Sequence, residues 1–429
     1  MPTLGDLEFD ELDYFRDQSL VADPYPYFDW MRGECPVHRE PYHDVMLVTG
    51  HEEATAVYID PEAFSACNAM TGPFPGFPVP LKGDDVSELI EAHRDQLPMS
   101  QELSTMDPPK HTAHRALVAR FFTPKNVRAT EPFMRELADR LISGFIDRSE
   151  CEFLTDFAGP FTLLNICELL GVPESDHQMF VDEMMGPQRD RGIGGSGSGT
   201  PKDPFAFLHE RFKVYIEDRL VNPRDDMMTS LATTPFPDGS MPEIMDAVRL
   251  ASILFVAGTG TTALLLATSF QLLAERPDLQ QLLREEPERI PNFVEEMLRF
   301  DGPVKGGFRL SRRAKTVGGV EIPAGSTVMV VIGAANHDPR KFERPNEFQI
   351  ERENARQHLG FGHGIHMCVG APLARAESQI GIQHLLERLD DIRISSSAHG
   401  PEGARRYEYV PSYITRGLQG LHLRFAPAI

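Results

Sequence analysis

No Cys-x-x-Cys pair occurs in this chain of 429 residues, and its five cysteines (Cys35, Cys67, Cys151, Cys167 and Cys368) are scattered and odd in number. That pattern argues against a disulfide framework and for a reducing compartment, with most of these thiols as packing groups. Positive charge is scarce as well: 42 Lys and Arg stand against 64 Asp and Glu, a formal net charge of −22. Nucleic acids and anionic membranes reward clustered cations, so this acidic chain is expected to bind neither and to take a small molecule instead. The first residues, MPTLGDLEFDELDYFRD, hold neither a basic nor an apolar segment, and no run of roughly 18 uninterrupted apolar residues follows. A soluble, cytoplasmic protein is the expectation.

What is present is an ordinary globular composition, 41% hydrophobic and 25% charged, enough for a sizeable core. Length alone would suggest two or three domains. One stretch organises the rest: residues 358–377, HLGFGHGIHMCVGAPLARAE. Gly360, Gly362, Gly364 and Gly370 permit close backbone approach, so the chain can fold tightly under Cys368. The continuation from Pro372 through Leu373, Leu385, Leu386 and Leu389 suits an amphipathic helix. Its N–H groups would favour an anion at the cysteine, so Cys368 is a candidate thiolate with a lowered pKa.

Other stretches carry polar groups in telling places. In MDPPKHTAHRALVARFFTP, Pro108 and Pro109 can open a helix that sets His111 and Arg115 at i and i+4 on one face. Pro242 to Arg276 holds the longest apolar helical run, about 50 Å if continuous. At its middle lies AGTGTT, Ala257 to Thr262, where a purely structural helix would prefer Ala and Leu. Gly258 and Gly260 are expected to loosen the ladder there and admit water to a groove. Glu296 and Arg299 stand at i and i+3 in PNFVEEMLRF. Two segments resist regular structure: TGPFPGFPVPLKGDD, a loop carrying Phe74, Phe77 and Val79, and GIGGSGSGT at Gly192 to Thr200, flexible by composition. Strands are expected near Val304 to Arg309, Val317 to Ile322 and Thr327 to Ile332.

The pattern Phe361-x-x-Gly364-x-x-x-Cys368-x-Gly370, with His366 two residues before the cysteine, resembles the haem-binding signature of the cytochrome P450 family. The resemblance covers nearly the whole chain, from DPYPYF to the terminal strands, with four motifs in family order. It implies a mainly α fold of the P450 type, a large α-rich region with a small β-rich one, and one domain over 1–429. It implies haem b with Cys368 as axial thiolate, beside Phe361 and Gly370, and with His111, Arg115, Arg309 and His366 on the propionates. Such a thiolate pushes electron density onto iron and favours O–O cleavage. Thr261 matches the threonine that steers protons to dioxygen. Gly260 departs from the pattern, since the family usually carries an acid there, and ordinary proton delivery is put in doubt. Glu296, Arg299 and Arg352 resemble the buried network that braces the haem loop.

The implied reaction is insertion of one atom of O2 into a small, largely apolar organic substrate. Electrons would come from NAD(P)H through a separate ferredoxin or flavodoxin-type donor and its reductase. Phe74, Phe77, Phe180, Met184, Leu254, Ala257, Val304 and Ile414 are the expected pocket residues. A donor would dock on the cysteine side, where Lys110, His114, Arg120, Arg356 and Arg375 could form a locally basic patch. The segment 192–200 would cover the substrate entrance and become ordered on binding. Two alternatives stay open: a peroxide-driven enzyme of the same fold, which the missing acid makes thinkable, and a non-enzymatic haem sensor or carrier.

Overall fold

The computed structural model describes residues 9–185 and 205–428, so the segment Gly192 to Thr200 lies outside the described residues. Proline and glycine set the first elements. Pro24 precedes helix α1 (Tyr25–Glu34), a hairpin of β1 (Val37–Arg39) and β2 (Met46–Val48) follows, and α2 (His51–Tyr58) starts directly after Gly50. Strand β3 (Phe64–Ser65) leads into the Pro- and Gly-rich loop. Then come α3 (Lys110–Ala119), α4 (Pro124–Ser143), β4 (Glu150–Glu152), α5 (Gly159–Leu170), α6 (His177–Met185) and α7 (Ala206–Val221). Capping explains several boundaries. The Thr123 side chain accepts from Asn126 N–H at 3.4 Å with Pro124 in the first turn of α4, and α5 stops at Gly171, whose φ of +86° no β-carbon residue takes cheaply.

Helix α8 (Ile244–Glu275) opens on a reciprocal capping box between Glu243 and Asp246 and runs 32 residues without interruption, about 48 Å. It is long and apolar enough to cross a membrane by composition, yet 61% of its apolar window is buried inside the protein. It packs against α5, α7, α9 (Ile290–Phe300) and α10 (Ala371–Arg388). Phe153, Phe157, Phe161 and Phe270 stack ring on ring in this core at centroid spacings of 4.7 to 5.7 Å. Losing one such ring would cost about 3–5 kcal/mol.

The β structure is peripheral. Strands β5 (Gly307–Ser311) and β8 (Thr327–Val330) join the first three in a sheet of order β1-β2-β8-β5-β3, in which only β2 and β8 run parallel. Strands β6 (Lys315–Val317) and β7 (Val320–Ile322) form a separate hairpin, while β9 (Leu389–Ile394) and β10 (His422–Pro427) pair with β4 in the order β4-β10-β9. Val304, expected to begin a strand, makes only an isolated bridge to Thr415, and regular pairing starts after Gly306.

Candidate active site

Residues 359–370 form a loop closed by its own backbone. The Cys368 N–H donates to the Phe361 carbonyl at 2.8 Å, Gly362 N–H to Leu359 at 2.8 Å and Met367 N–H to Gly364 at 3.1 Å, so the chain doubles back beneath the sulfur. Gly364 has φ +69° and a β-carbon there would stand 2.4 Å from the Tyr58 carbonyl oxygen, which leaves room for glycine alone. The start of the loop hangs on neighbouring elements: Leu359 N–H donates to Asn336 Oδ1 at 2.7 Å and Gly360 N–H to His358 Nδ1 at 2.9 Å. With Nδ1 accepting, His358 carries its proton on Nε2, 3.1 Å from Glu295.

Cys368 opens onto a cavity of about 400 Å³ at the N-terminal end of α10. Burial pushes its thiol above the ordinary value, and the Gly370 and Ala371 N–H groups with Arg115 and Arg375 only partly oppose that. The lowered thiol pKa expected from the helix end is therefore corrected: desolvation exceeds what two backbone dipoles and two guanidiniums return. A bound cation would reverse the balance, because a coordinating thiol gives up its proton outright.

Four cationic or imidazole side chains converge on the same cavity: His111, Arg115, Arg309 and His366. The two imidazole rings lie 4.0 Å apart, and both His111 nitrogens and His366 Nε2 are buried without a hydrogen-bond partner among the described residues. Burial, joined by nearby guanidiniums, pulls His111 down to about 4 and His366 to about 2. Arg309 is buried over the Tyr58 ring and its guanidinium donates only to the Phe308 carbonyl, while Arg115 reaches the carbonyl of Met367. The buried acid whose charge acts on His111, Arg309 and His366, Asp107, is already committed to Ser65, to Ala66 N–H at 2.8 Å and to Arg94 and Arg312. Unpartnered buried donors are costly. This set fits a ligand bearing two carboxylates over the cysteine, as the propionates of haem would provide.

Helix α8 supplies a further wall through Ile253, Leu254, Ala257, Gly258, Thr261 and Thr262. The loosened ladder expected at AGTGTT is not observed. Thr259 and Thr261 fold their hydroxyls back onto the carbonyls of Phe255 (2.7 Å) and Ala257 (3.1 Å), and the helix continues. Gly258 has a packing reason, since a β-carbon there would approach Ile166 of α5 at 3.1 Å, whereas one at Gly260 would meet nothing within 4 Å.

Of the expected pocket residues, Leu254, Ala257 and Val304 line the cavity. The other five lie elsewhere. Phe74 is 37% exposed and sits against Phe15, His43 and Tyr413, and Phe77 packs by His93. Phe180 is consumed by Phe207, Phe212 and Phe255 inside the core, and Met184 packs on that core. Ile414 turns into the amino-terminal aromatic cluster, although its carbonyl accepts from Lys305 N–H at 2.7 Å beside Val304. The basic patch is also thinner than expected. His114 is buried against Asp246 at 3.3 Å, Lys110 pairs with Gln101, and Arg375 grips Glu295 at 2.6 Å and 3.0 Å, which leaves Arg356, with its side chain 70% exposed, and Arg120 at the surface.

Behind the loop, Glu296 accepts from Arg299 Nε and Nη2 at 2.7 and 2.8 Å, from Arg352 Nε at 3.0 Å and from Gln349 N–H at 3.0 Å. The two arginines pass their remaining N–H groups to the carbonyls of Asn336, Glu343, Arg344, Pro345 and Glu347. Asn336 in turn holds Leu359, so the network is tied to the cysteine loop by one residue.

The sequence reading missed the one acid among the described residues that lines the cavity. Glu377 of α10 is 1% exposed, with Oε1 unpartnered, and burial pushes its carboxyl well above the usual range against opposition from Thr262 and Asn165. Both amide atoms of Asn165 are likewise buried and unpartnered. The available signal was an acid at the i+4 position of an otherwise apolar helix face, between Leu373 and Ile380.

The chain matches the family model described as Cytochrome P450 over residues 238–392. It is 33% identical to the Cytochrome P450 monooxygenase PikC of Streptomyces venezuelae, across 95% of this chain and 92% of that protein. It is 33% identical to the Cyclomarin C epoxidase CymV of Salinispora arenicola, across 85% and 88%. The substrate-free structure of Mycobacterium marinum cytochrome P450 CYP150A6 superposes with a TM-score of 0.92 at 47% identity, covering 98% of this chain and 100% of that one. With a mainly α fold, a cysteine loop and an unmatched set of carboxylate-binding side chains beneath these likenesses, the chain belongs to the cytochrome P450 family of haem-thiolate monooxygenases.

Proposed function

We propose that the chain, working as one unit over residues 1–429, inserts one oxygen atom of O2 into a small to medium, largely apolar organic substrate by hydroxylation or oxidative demethylation. The observation that carries this reading is the shared cavity, in which the Cys368 thiol and the His111, Arg115, Arg309 and His366 side chains meet apolar residues and the paired threonines Thr261 and Thr262 of α8. Bound haem, ligated by Cys368, supplies dioxygen activation. Phe361 and Gly370 line the cavity on either side of the sulfur and complete the haem-binding loop. Leu103, Leu254, Ala257 and Val304 exclude water and hold the substrate by apolar contact. Thr261, whose hydroxyl rests on the Ala257 carbonyl at 3.1 Å, would turn it into the cavity to hold a proton there, and Glu377, whose carboxyl burial pushes well up, would store a proton in place of the acid missing at Gly260. Glu296, Arg299 and Arg352 brace the loop. Electrons come from NAD(P)H through a cytoplasmic ferredoxin or flavodoxin-type donor that docks near Arg356 and Arg120.

The test is a compound screen read by the spin-state change of the ferric haem, followed by turnover of each hit with a ferredoxin and reductase under air and with hydrogen peroxide alone. Product from the reduced donor supports the monooxygenase. Turnover with peroxide only would favour the peroxygenase reading that the glycine at 260 suggests, and spectral binding without product by either route would make the protein a haem carrier or sensor.

A further inference from the structure

Far along the sequence from the cysteine loop, three ligating side chains meet at the amino-terminal edge of the sheet. Asp13 lies just past a short 3-10 turn at Phe9–Glu11, and Glu40 and His43 belong to the turn between β1 and β2. One donor atom from each lies within 4.8 Å of the other two. His43 Nε2 stands 3.0 Å and 3.2 Å from the two Asp13 oxygens. Backbone N–H groups hold one oxygen of each carboxylate. Asp13 Oδ1 accepts from Phe15 N–H at 3.0 Å, and Glu40 Oε2 accepts from Tyr42 N–H at 3.1 Å and His43 N–H at 2.6 Å. The imidazole is held edge-on between Phe15 (5.4 Å) and Phe74 (5.1 Å), so its ring plane is set without any polar contact.

The imbalance is in Glu40. Its residue is 1% exposed, yet Oε1 is buried with no hydrogen-bond partner. Among the described residues no Lys or Arg forms an ion pair with Asp13 or Glu40, so two carboxylates share a single imidazole. Burial pushes the Glu40 carboxyl up, so this oxygen is satisfied only by a proton or a cation, and the neighbouring imidazole and second carboxylate supply the rest of a cation's ligand set. The geometry points to a divalent transition-metal site, Zn²⁺ being the ion the donor set suits best, formed by Asp13, Glu40 and His43 and completed by water. One imidazole nitrogen with two carboxylate oxygens suits a borderline ion and does not suit Ca²⁺, which asks for six or more oxygens. Metal–ligand bonds of about 2.0–2.2 Å put tetrahedral neighbours about 3.3 Å apart. The His43–Asp13 pair is already near that spacing, and side-chain rotation of Glu40 or Asp13 closes the rest. Bound there, the ion would staple the amino-terminal segment to the β1–β2 hairpin and, through His43 and Phe74, to the loop that leads toward the cavity.

The experiment uses full-length, haem-loaded protein stripped with a chelator and then dialysed against zinc chloride. We expect one retained zinc per chain, a rise in Tm on zinc addition, and binding at least tenfold weaker in Asp13→Asn, Glu40→Gln and His43→Ala. Glu40→Gln keeps an oxygen to cap the turn, so an unchanged haem spectrum shows that the fold survives. Zinc retained equally by wild type and all three variants, or by none of them, overturns the assignment. A calcium-induced Tm rise equal to that from zinc overturns the choice of metal class.

Discussion

The buried carboxyl of Glu377 makes stability depend on pH in a direction that can be worked out. Its folded pKa lies above the unfolded value near 4.3, so the folded state binds a proton that the unfolded state releases. This contribution is fully present below the unfolded pKa. It is lost as pH rises toward the folded one, at about 1.4 kcal/mol per pH unit while the carboxyl stays protonated in the fold. The window for this loss opens above the unfolded value and closes at the folded one. Glu377→Gln has the same shape, offers a donor and an acceptor, and has no proton to lose. The difference in unfolding free energy between variant and wild type should therefore grow in the variant's favour across this window, with other titrating groups cancelling in the subtraction. Urea unfolding of the haem-loaded proteins at several pH values gives the slope, and the infrared carbonyl band of a protonated carboxylic acid should vanish in the variant. A difference that stays flat with pH, or a variant that loses stability as pH rises, would refute a neutral Glu377.

Glu296→Ala leaves Arg299 and Arg352 buried without a counter-charge and should cost about 3–5 kcal/mol, read as a urea midpoint lower by roughly 1 M and as earlier haem release; an unmoved midpoint would show the network to be dispensable. Gly260→Ala fills open space in a helix interior and should stabilise by about 0.5–1 kcal/mol, whereas a loss would mean that the space beside this turn of α8 cannot take a methyl group. Arg356→Glu should slow reduction by an acidic electron donor and flatten its ionic-strength dependence, and identical rates at low salt would move the docking face elsewhere.

The haem-thiolate scaffold was legible because its parts are local. The glycines around Cys368, the i and i+4 pair His111 and Arg115, and the i and i+3 pair Glu296 and Arg299 all lie within a single turn or helix, and periodicity alone sets their geometry. Misreadings came where a distant segment decided. Phe74 was read as pocket lining because it sits in an apolar loop, but Phe15 and Tyr413 claim it from opposite ends of the chain. His114 follows Lys110 by one turn and looked solvent-facing until Asp246 at the start of α8 took its Nε2. The sign of the Cys368 shift depends on desolvation by elements from several parts of the chain, which no window of sequence contains.

The missing acid at Gly260 is best understood with the same geometry. A carboxyl at 260 would stand on an exposed face of α8 with nothing within 4 Å of its first carbon, and there it would be ionised and mainly an acceptor. Glu377 reaches the cavity from α10, behind Thr262, in surroundings that keep it protonated and hence a donor. Two acids serving one proton route are not independent, so their effects on coupling of electron use to product should fail to add. Glu377→Gln alone should divert electrons from product to peroxide, Gly260→Asp alone should change coupling little while Glu377 is intact, and the double variant should recover part of what Glu377→Gln loses. Additive effects of the two substitutions, measured as product formed per NADH consumed, would mean that Glu377 and position 260 do not supply the same proton.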